Sequence, residues 1–79
     1  MEKLYMIRVK HVSDKYNISY VVSRIDNRGG LYINYDRYYG LVFKDNEIVG
    51  AIKIAKKYFG TGYSITKELV KGLNINTQY

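Results

Sequence analysis

The chain has 79 residues, room for one domain and one core, because so short a chain buries only roughly 60% of the surface its unfolded form exposes. It has no cysteine, so neither a disulfide nor a thiolate metal site backs up that core, nothing points to an oxidising compartment, and a cytoplasmic protein is expected. Thirteen Lys and Arg against seven Asp and Glu give a net charge of +6, which favours polyanions or acidic protein surfaces as partners.

In the opening stretch, Met1-Glu2-Lys3-Leu4-Tyr5-Met6-Ile7-Arg8, charges interrupt the apolar residues too soon for a signal-peptide core. No apolar run approaches the roughly 20 residues that span a bilayer, so no membrane partner is expected. From Leu4 to His11 apolar and polar positions alternate, with Tyr5, Ile7 and Val9 on one face and Met6, Arg8 and Lys10 on the other, which predicts a first strand. The polar stretch 13–17 then turns, and Ile18 to Ile25, rich in β-branched and aromatic residues, predicts an antiparallel second strand. Its buried face is ambiguous, since Tyr20 and Val22 compete with Val21 and Ile25.

Asp26-Asn27-Arg28-Gly29-Gly30 gathers residues that tolerate positive φ, so a hairpin turn or bulged loop belongs there. A third strand follows from Leu31 to Asn34 or Tyr35, then a connection over Asp36-Arg37-Tyr38-Tyr39-Gly40, then a short fourth strand from Leu41 to Lys44. Asp45 or Asn46 would cap a helix over residues 46–59, with Glu47 favourable in its first turn. Ile48, Ala51, Ile52, Ala55 and Phe59 form its apolar stripe, opposite Lys53, Lys56 and Lys57. Gly60 stands where a left-handed C-cap is expected. A last strand alternates Tyr63, Ile65 and Leu69 with Ser64, Thr66 and Glu68, and the patternless residues 71–79 read as a tail that frays.

This order, ββββαβ, predicts a single α+β domain over residues 1–79: an antiparallel sheet of four to five strands with one amphipathic helix packed on one face. The other face is expected to stay partly wet and to serve as an interaction surface.

Residues that carry chemistry are sparse. The only histidine, His11, ends the first strand, and none of Ser13, Ser19, Ser23, Ser64 or Thr66 lies in a Gly-x-Ser-x-Gly elbow. Asp14, Asp26, Asp36 and Asp45 each fall in a turn or cap, where aspartate is favoured for backbone reasons. Gly60-Thr61-Gly62 follows a helix instead of preceding one and lacks the Lys-Ser/Thr ending of a phosphate loop. No enzyme activity, cofactor or metal is therefore expected.

The signal above background is a set of cations interleaved with aromatics: Arg24, Arg28, Tyr32, Tyr35, Arg37, Tyr38 and Tyr39 around the hairpin, with Lys53, Lys56 and Lys57 on the helix as a second patch. Tyrosine faces stack nucleobases and cations neutralise phosphate, so a nucleic-acid surface fits. Tyr and Arg are also the residues enriched at protein interface hot spots, so a protein partner fits as well. The plain explanations are strand propensity for the tyrosines, solvation for the helix lysines, and AT-rich codons for the excess of Tyr, Ile, Asn and Lys.

The succession Gly40-Leu41-Val42-Phe43-Lys44-Asp45-Asn46, then Ala51-Ile52-Lys53-Ile54-Ala55-Lys56-Lys57-Tyr58-Phe59, then Tyr63-Ser64-Ile65 resembles small early-region proteins of phages that infect low-GC Firmicutes. The resemblance covers roughly the last half of the chain and transfers no functional residues. It implies a non-enzymatic inhibitor or modulator of a host macromolecular machine, such as a defence or DNA-processing complex, in the manner of anti-CRISPR proteins. The expected partner is then a host protein or nucleoprotein complex. A small basic nucleic-acid-binding protein is the alternative, and self-association stays open.

Overall fold

The computed structural model describes residues 2–71; of the expected frayed tail, 72–79 lie outside the described residues. Five strands and one helix follow in the expected order: β1 (Leu4–His11), β2 (Ser19–Ile25), β3 (Leu31–Asn34), β4 (Phe43–Lys44), α1 (Asp45–Phe59) and β5 (Tyr63–Leu69). They form one antiparallel five-stranded sheet, an α+β fold.

β1 is its axis. β5 pairs along one edge of β1 from Tyr5↔Leu69 to His11↔Tyr63, while the other edge is shared, by β2 at Arg8 to Lys10 and by β4 at Leu4 and Tyr5. The chain entering β4 therefore wedges between β1 and β2, and the Leu41 amide donates to the Val22 carbonyl at 2.9 Å. This corrects the expected fourth strand: Leu41 bonds to β2, and only Phe43 and Lys44 pair with β1. β4 and β5 both run antiparallel to β1, so α1 joins two parallel strands that flank it, a crossover that lays the helix over β1.

Alternation decides the two faces of the sheet. Tyr5, Ile7 and Val9 of β1, Val22 of β2, Leu31 of β3 and Ile65 of β5 meet Ile48 and Ala55 of α1 to form the main core. The second face carries a smaller apolar contact, because Met6 and Val21 are buried but belong to no part of that core. The ambiguity of β2 thus resolves as burial on both faces, with Val21 and Val22 fully covered.

What covers Val21 and Met6 is the 3₁₀ turn Arg37–Tyr39, which folds down on the face without the helix. The expectation of a wet second face is corrected to that extent. Gly40 lets the turn sit so close: a Cβ there would stand 2.7 Å from Met6 Sδ and 2.9 Å from Val21 Cγ2. The Met6 thioether can swing aside, but the branched Val21 in its sheet cannot. Gly40→Ala is expected to lift the turn and lower stability by about 1–3 kcal/mol, the usual range for overpacking. Urea unfolding measures it, and an unchanged midpoint would show that the turn is not seated this way.

Local chemistry differs from expectation at both ends of α1. Neither Asp45 nor Asn46 caps it; Lys44 holds the cap position, and the Glu47 side chain reaches back to accept the Lys44 amide at 2.8 Å. Asp45 is already the first helical residue, where its charge complements the dipole. Gly60 has the expected positive φ of 78°, yet its ψ of −167° is extended, so it closes the helix through its amide to the Lys56 carbonyl and departs straight into the turn before β5. That backbone region is nearly exclusive to glycine.

Candidate functional site

The β2–β3 hairpin is the first element to build. Asp26 organises its loop: the carboxylate accepts the amides of Gly30 at 2.7 Å and Arg28 at 2.9 Å, while Gly29, at φ 83°, supplies the residue in the left-handed region. Those two amides, Gly30 before Arg28, hold the Asp26 carboxyl below its ordinary range. Tyr32 donates its hydroxyl to the same carboxylate at 3.2 Å, and the Arg24 guanidinium lies over the Tyr32 ring, 4.3 Å from its centroid. A bulge between Val22 and Arg24 turns Arg24 and its partner Tyr32 onto the face without the helix. Arg24, Tyr32 and Asp26 therefore satisfy one another, with Arg28 exposed at the tip beside them.

The 3₁₀ turn is the second element. Asp36 starts it by accepting the Tyr38 amide at 2.9 Å. Arg37 anchors it: Nε and Nη2 donate to the two oxygens of Glu68 at 3.1 and 3.0 Å, Nη2 also reaches Ser19 Oγ at 2.6 Å, and Nη1 donates to the Ser19 and Tyr35 carbonyls at 2.9 and 3.2 Å. All of the guanidinium's nitrogens are engaged, the fork geometry in which arginine outperforms lysine. Arg8 brings a second cation to Glu68, with Nε 3.4 Å from Oε1 but without hydrogen-bond alignment, so that contact is coulombic only. Hydrogen bonding to Arg37 lowers the Glu68 pKa against the opposing effect of burial, and reciprocally raises that of Arg37.

With Arg37 turned inward, its neighbours point out. Tyr38 is 85% and Tyr39 57% exposed, with their rings edge to face at 5.1 Å. Among the ten residues singled out in the sequence, five gather on the face without the helix: Arg24 and Tyr32 as a stacked pair, Arg37 as the anchor, Tyr38 and Tyr39 as free aromatics. Arg28 stands at the hairpin tip. Tyr35 is not with them: it packs edge to face on Tyr20, whose pairing with the core residue Val9 places it on the helix-bearing side. Lys53, Lys56 and Lys57 are exposed on α1, across the sheet from the tyrosine pair.

Sequence reasoning missed Ser19, Arg8 and Glu68, the partners of Arg37. The available signal was that Arg8 and Glu68 fall on the same face of predicted strands; nothing in the sequence pairs those strands with residue 37. His11 is exposed, packs edge-on against Tyr63 and has Ser13 Oγ 2.9 Å from its Nδ1, but the Ser13 amide also reaches that nitrogen at 3.2 Å, the geometry of a local turn. The nearby Asp14 carboxylate is occupied by the amides of Tyr16 and Ile18. Among the described residues no group of three or more His, Asp or Glu could share a metal ion, and no helix is long and apolar enough to cross a membrane.

Compared with family models, curated proteins and solved structures, the chain matches none.

Proposed function

We propose that this protein acts by stoichiometric binding, as a phage-type inhibitor or modulator that occupies a surface of a host macromolecular machine. The observation that carries the reading is the Tyr38–Tyr39 pair: two adjacent exposed tyrosines on a turn that Arg37 pins to the sheet. Tyrosine presents a large contact area with few rotatable bonds, so a pinned pair loses little entropy on docking. Arg24 and Arg28 make the adjoining hairpin cationic, which suits an acidic partner surface and agrees with the net charge of +6.

Direct nucleic-acid binding is the second reading, supported by the same cations beside aromatic rings. Against it, one face of Tyr32 is covered by Arg24 and its hydroxyl is tied to Asp26, which leaves Tyr38 and Tyr39 as the stacking platforms on that face. Affinity capture from bacterial lysate, with and without nuclease, separates the two. A nuclease-resistant partner held near one to one, and lost with Tyr38→Ala/Tyr39→Ala, is the expected result. Capture abolished by nuclease, together with oligonucleotide binding that weakens steeply above about 50 mM salt, establishes the second reading instead.

A further inference from the structure

β5 is an open edge of the sheet: it pairs with β1 on one side and with no strand on the other among the described residues. Two hydrogen-bonded pairs bound its ladder with β1. The Val12 amide donates to the Gly62 carbonyl at 3.1 Å, and the Val70 amide to the Leu4 carbonyl at 2.9 Å. Bonded and non-bonded pairs alternate along an antiparallel ladder, so Ser64, Thr66 and Glu68 turn their backbone groups to β1, and Ile65, Lys67 and Leu69 turn theirs outward. These outward amides and carbonyls have no partner among the described residues. Beside them a groove of about 500 Å³ runs between β5 and α1. Ile48 and Ile65 are its buried floor, and the apolar surface left open is Val49, 60% exposed, with the half-buried Ile52.

Backbone and charge together select an occupant. The outer row of β5 offers donors and acceptors in alternation, which another extended peptide chain matches; a phosphate backbone only accepts hydrogen bonds and leaves the carbonyls unpaired. Ile65 pairs with the core residue Val9, so the side chains of Ile65 and Lys67 face the helix side. Residues of an added strand that lie opposite them face that side too and enter the groove. Its lining carries Lys53, Lys56 and Lys67 and no acid. None of these ammonium groups is within 4 Å of a carboxylate among the described residues. Lys67 lies back over the Tyr5 ring, 4.6 Å from its centroid, and so does not guard the edge as a strand lysine often does. A second copy fits poorly, because pairing β5 with β5 about a two-fold axis merges the two grooves and sets the three lysines of one chain against those of the other.

We infer that the free edge of β5 is a docking site for one extended, acidic segment of another protein, which adds to the sheet as a sixth strand, lays alternate side chains against Val49 and Ile52, and sets carboxylates at Lys53, Lys56 and Lys67. The site shares no residue with the Tyr38–Tyr39 surface, so it stands or falls independently of the function proposed above.

The probe is a peptide of about nine residues, enough for one strand, with valine and glutamate at alternate positions and threonine between them. Three controls accompany it: the same peptide N-methylated at its valine and glutamate amides, a version with lysine for glutamate, and a thymidine oligonucleotide. Amide exchange followed by NMR should show Ile65, Lys67 and Leu69 exchanging fast in the free protein and protected by the acidic peptide, with Ser64, Thr66 and Glu68 protected in both states. Lys53→Glu/Lys56→Glu should weaken that binding at least tenfold, about 1.4 kcal/mol, and should bind the lysine peptide instead, which also shows that the variant is folded. Ile54→Glu, on the flank of α1 away from β5, and Tyr38→Ala/Tyr39→Ala should leave binding of the acidic peptide unchanged. Equal binding of the N-methylated or lysine peptide by the wild type overturns the inference, as do protection confined to other amides or displacement of the peptide by the oligonucleotide. So does protection of Ile65, Lys67 and Leu69 in the free protein, since the edge is then already paired, within the chain if sedimentation shows a monomer and with a second copy if it shows a dimer.

Discussion

Truncation of Ile48 to alanine is expected to lower the unfolding free energy by about 2–5 kcal/mol, the range for deleting a large aliphatic side chain from a core that cannot close around the gap. Ile48 is fully buried where α1 meets β1, and it is one of only two helix residues buried to that degree, the other being Ala55. A domain of this length holds only about 4–12 kcal/mol in all, so Ile48→Ala should leave the chain at the edge of folding at 37 °C. Val21→Ala probes the opposite face and should cost about 2 kcal/mol, from two lost methyl groups and a small cavity. The two sites have no shared partner across the sheet, so their effects should add in the double variant. Urea unfolding of the two singles and the double decides the matter. A cost near zero for Val21→Ala would mean that the 3₁₀ turn does not seal the second face.

The second large effect is expected from the Arg37–Glu68 pair, which is half-buried and makes two charge-assisted hydrogen bonds. Arg37→Met and Glu68→Gln should each cost about 1–3 kcal/mol by leaving charged or polar groups without partners, and the double variant should cost less than the sum. Arg37→Lys should not restore the wild-type value, because one ammonium cannot serve Glu68, Ser19 and the Tyr35 carbonyl together. The pH dependence has a definite sign. Glu68 is lowered in the folded state, so its contribution is fully present above the ordinary glutamate pKa of 4.5 and is lost as pH falls below that value and through the folded one. Acid titration of stability should therefore be less steep in Glu68→Gln than in the wild type. Identical curves would show that the pair contributes nothing in solution, the outcome common for fully exposed pairs. Because Arg37 fixes the turn, Arg37→Met should also loosen Tyr38 and Tyr39 and weaken partner binding without removing either ring.

The two predictions rest on different parts of what the sequence disclosed. The alternation of β1 and the apolar stripe of α1 are local, period-2 and period-3.6 patterns, and Ile48, Ala55, Ile7 and Val9 all lie where those periods put them. Turn chemistry at Asp26 to Gly30 is local too and appears as expected, with Gly29 in the left-handed region. Val21 was ambiguous because a strand covered on both faces has no alternation to read. The helix start was displaced by one residue because a glutamate three positions on can cap as well as an aspartate at the boundary, and the residue types alone do not choose.

The basic and aromatic residues of the candidate surface were legible as a list, and their grouping was not. Arg24 and Tyr32 become neighbours through a bulge that no residue type announces. Arg37 looked like any surface arginine until Glu68, 31 positions away, and Ser19, 18 positions away, were brought to it by pairing on opposite edges of β1. Tyr35 left the group for the same reason, by alternation carried across three strands. By itself the sequence determined the element order, the helix stripe and the cationic, aromatic composition, since these depend on neighbours within a turn or a strand. Only the tertiary structure decided which side chains share a face and which arginine is an anchor, because both follow from strand pairings between distant segments.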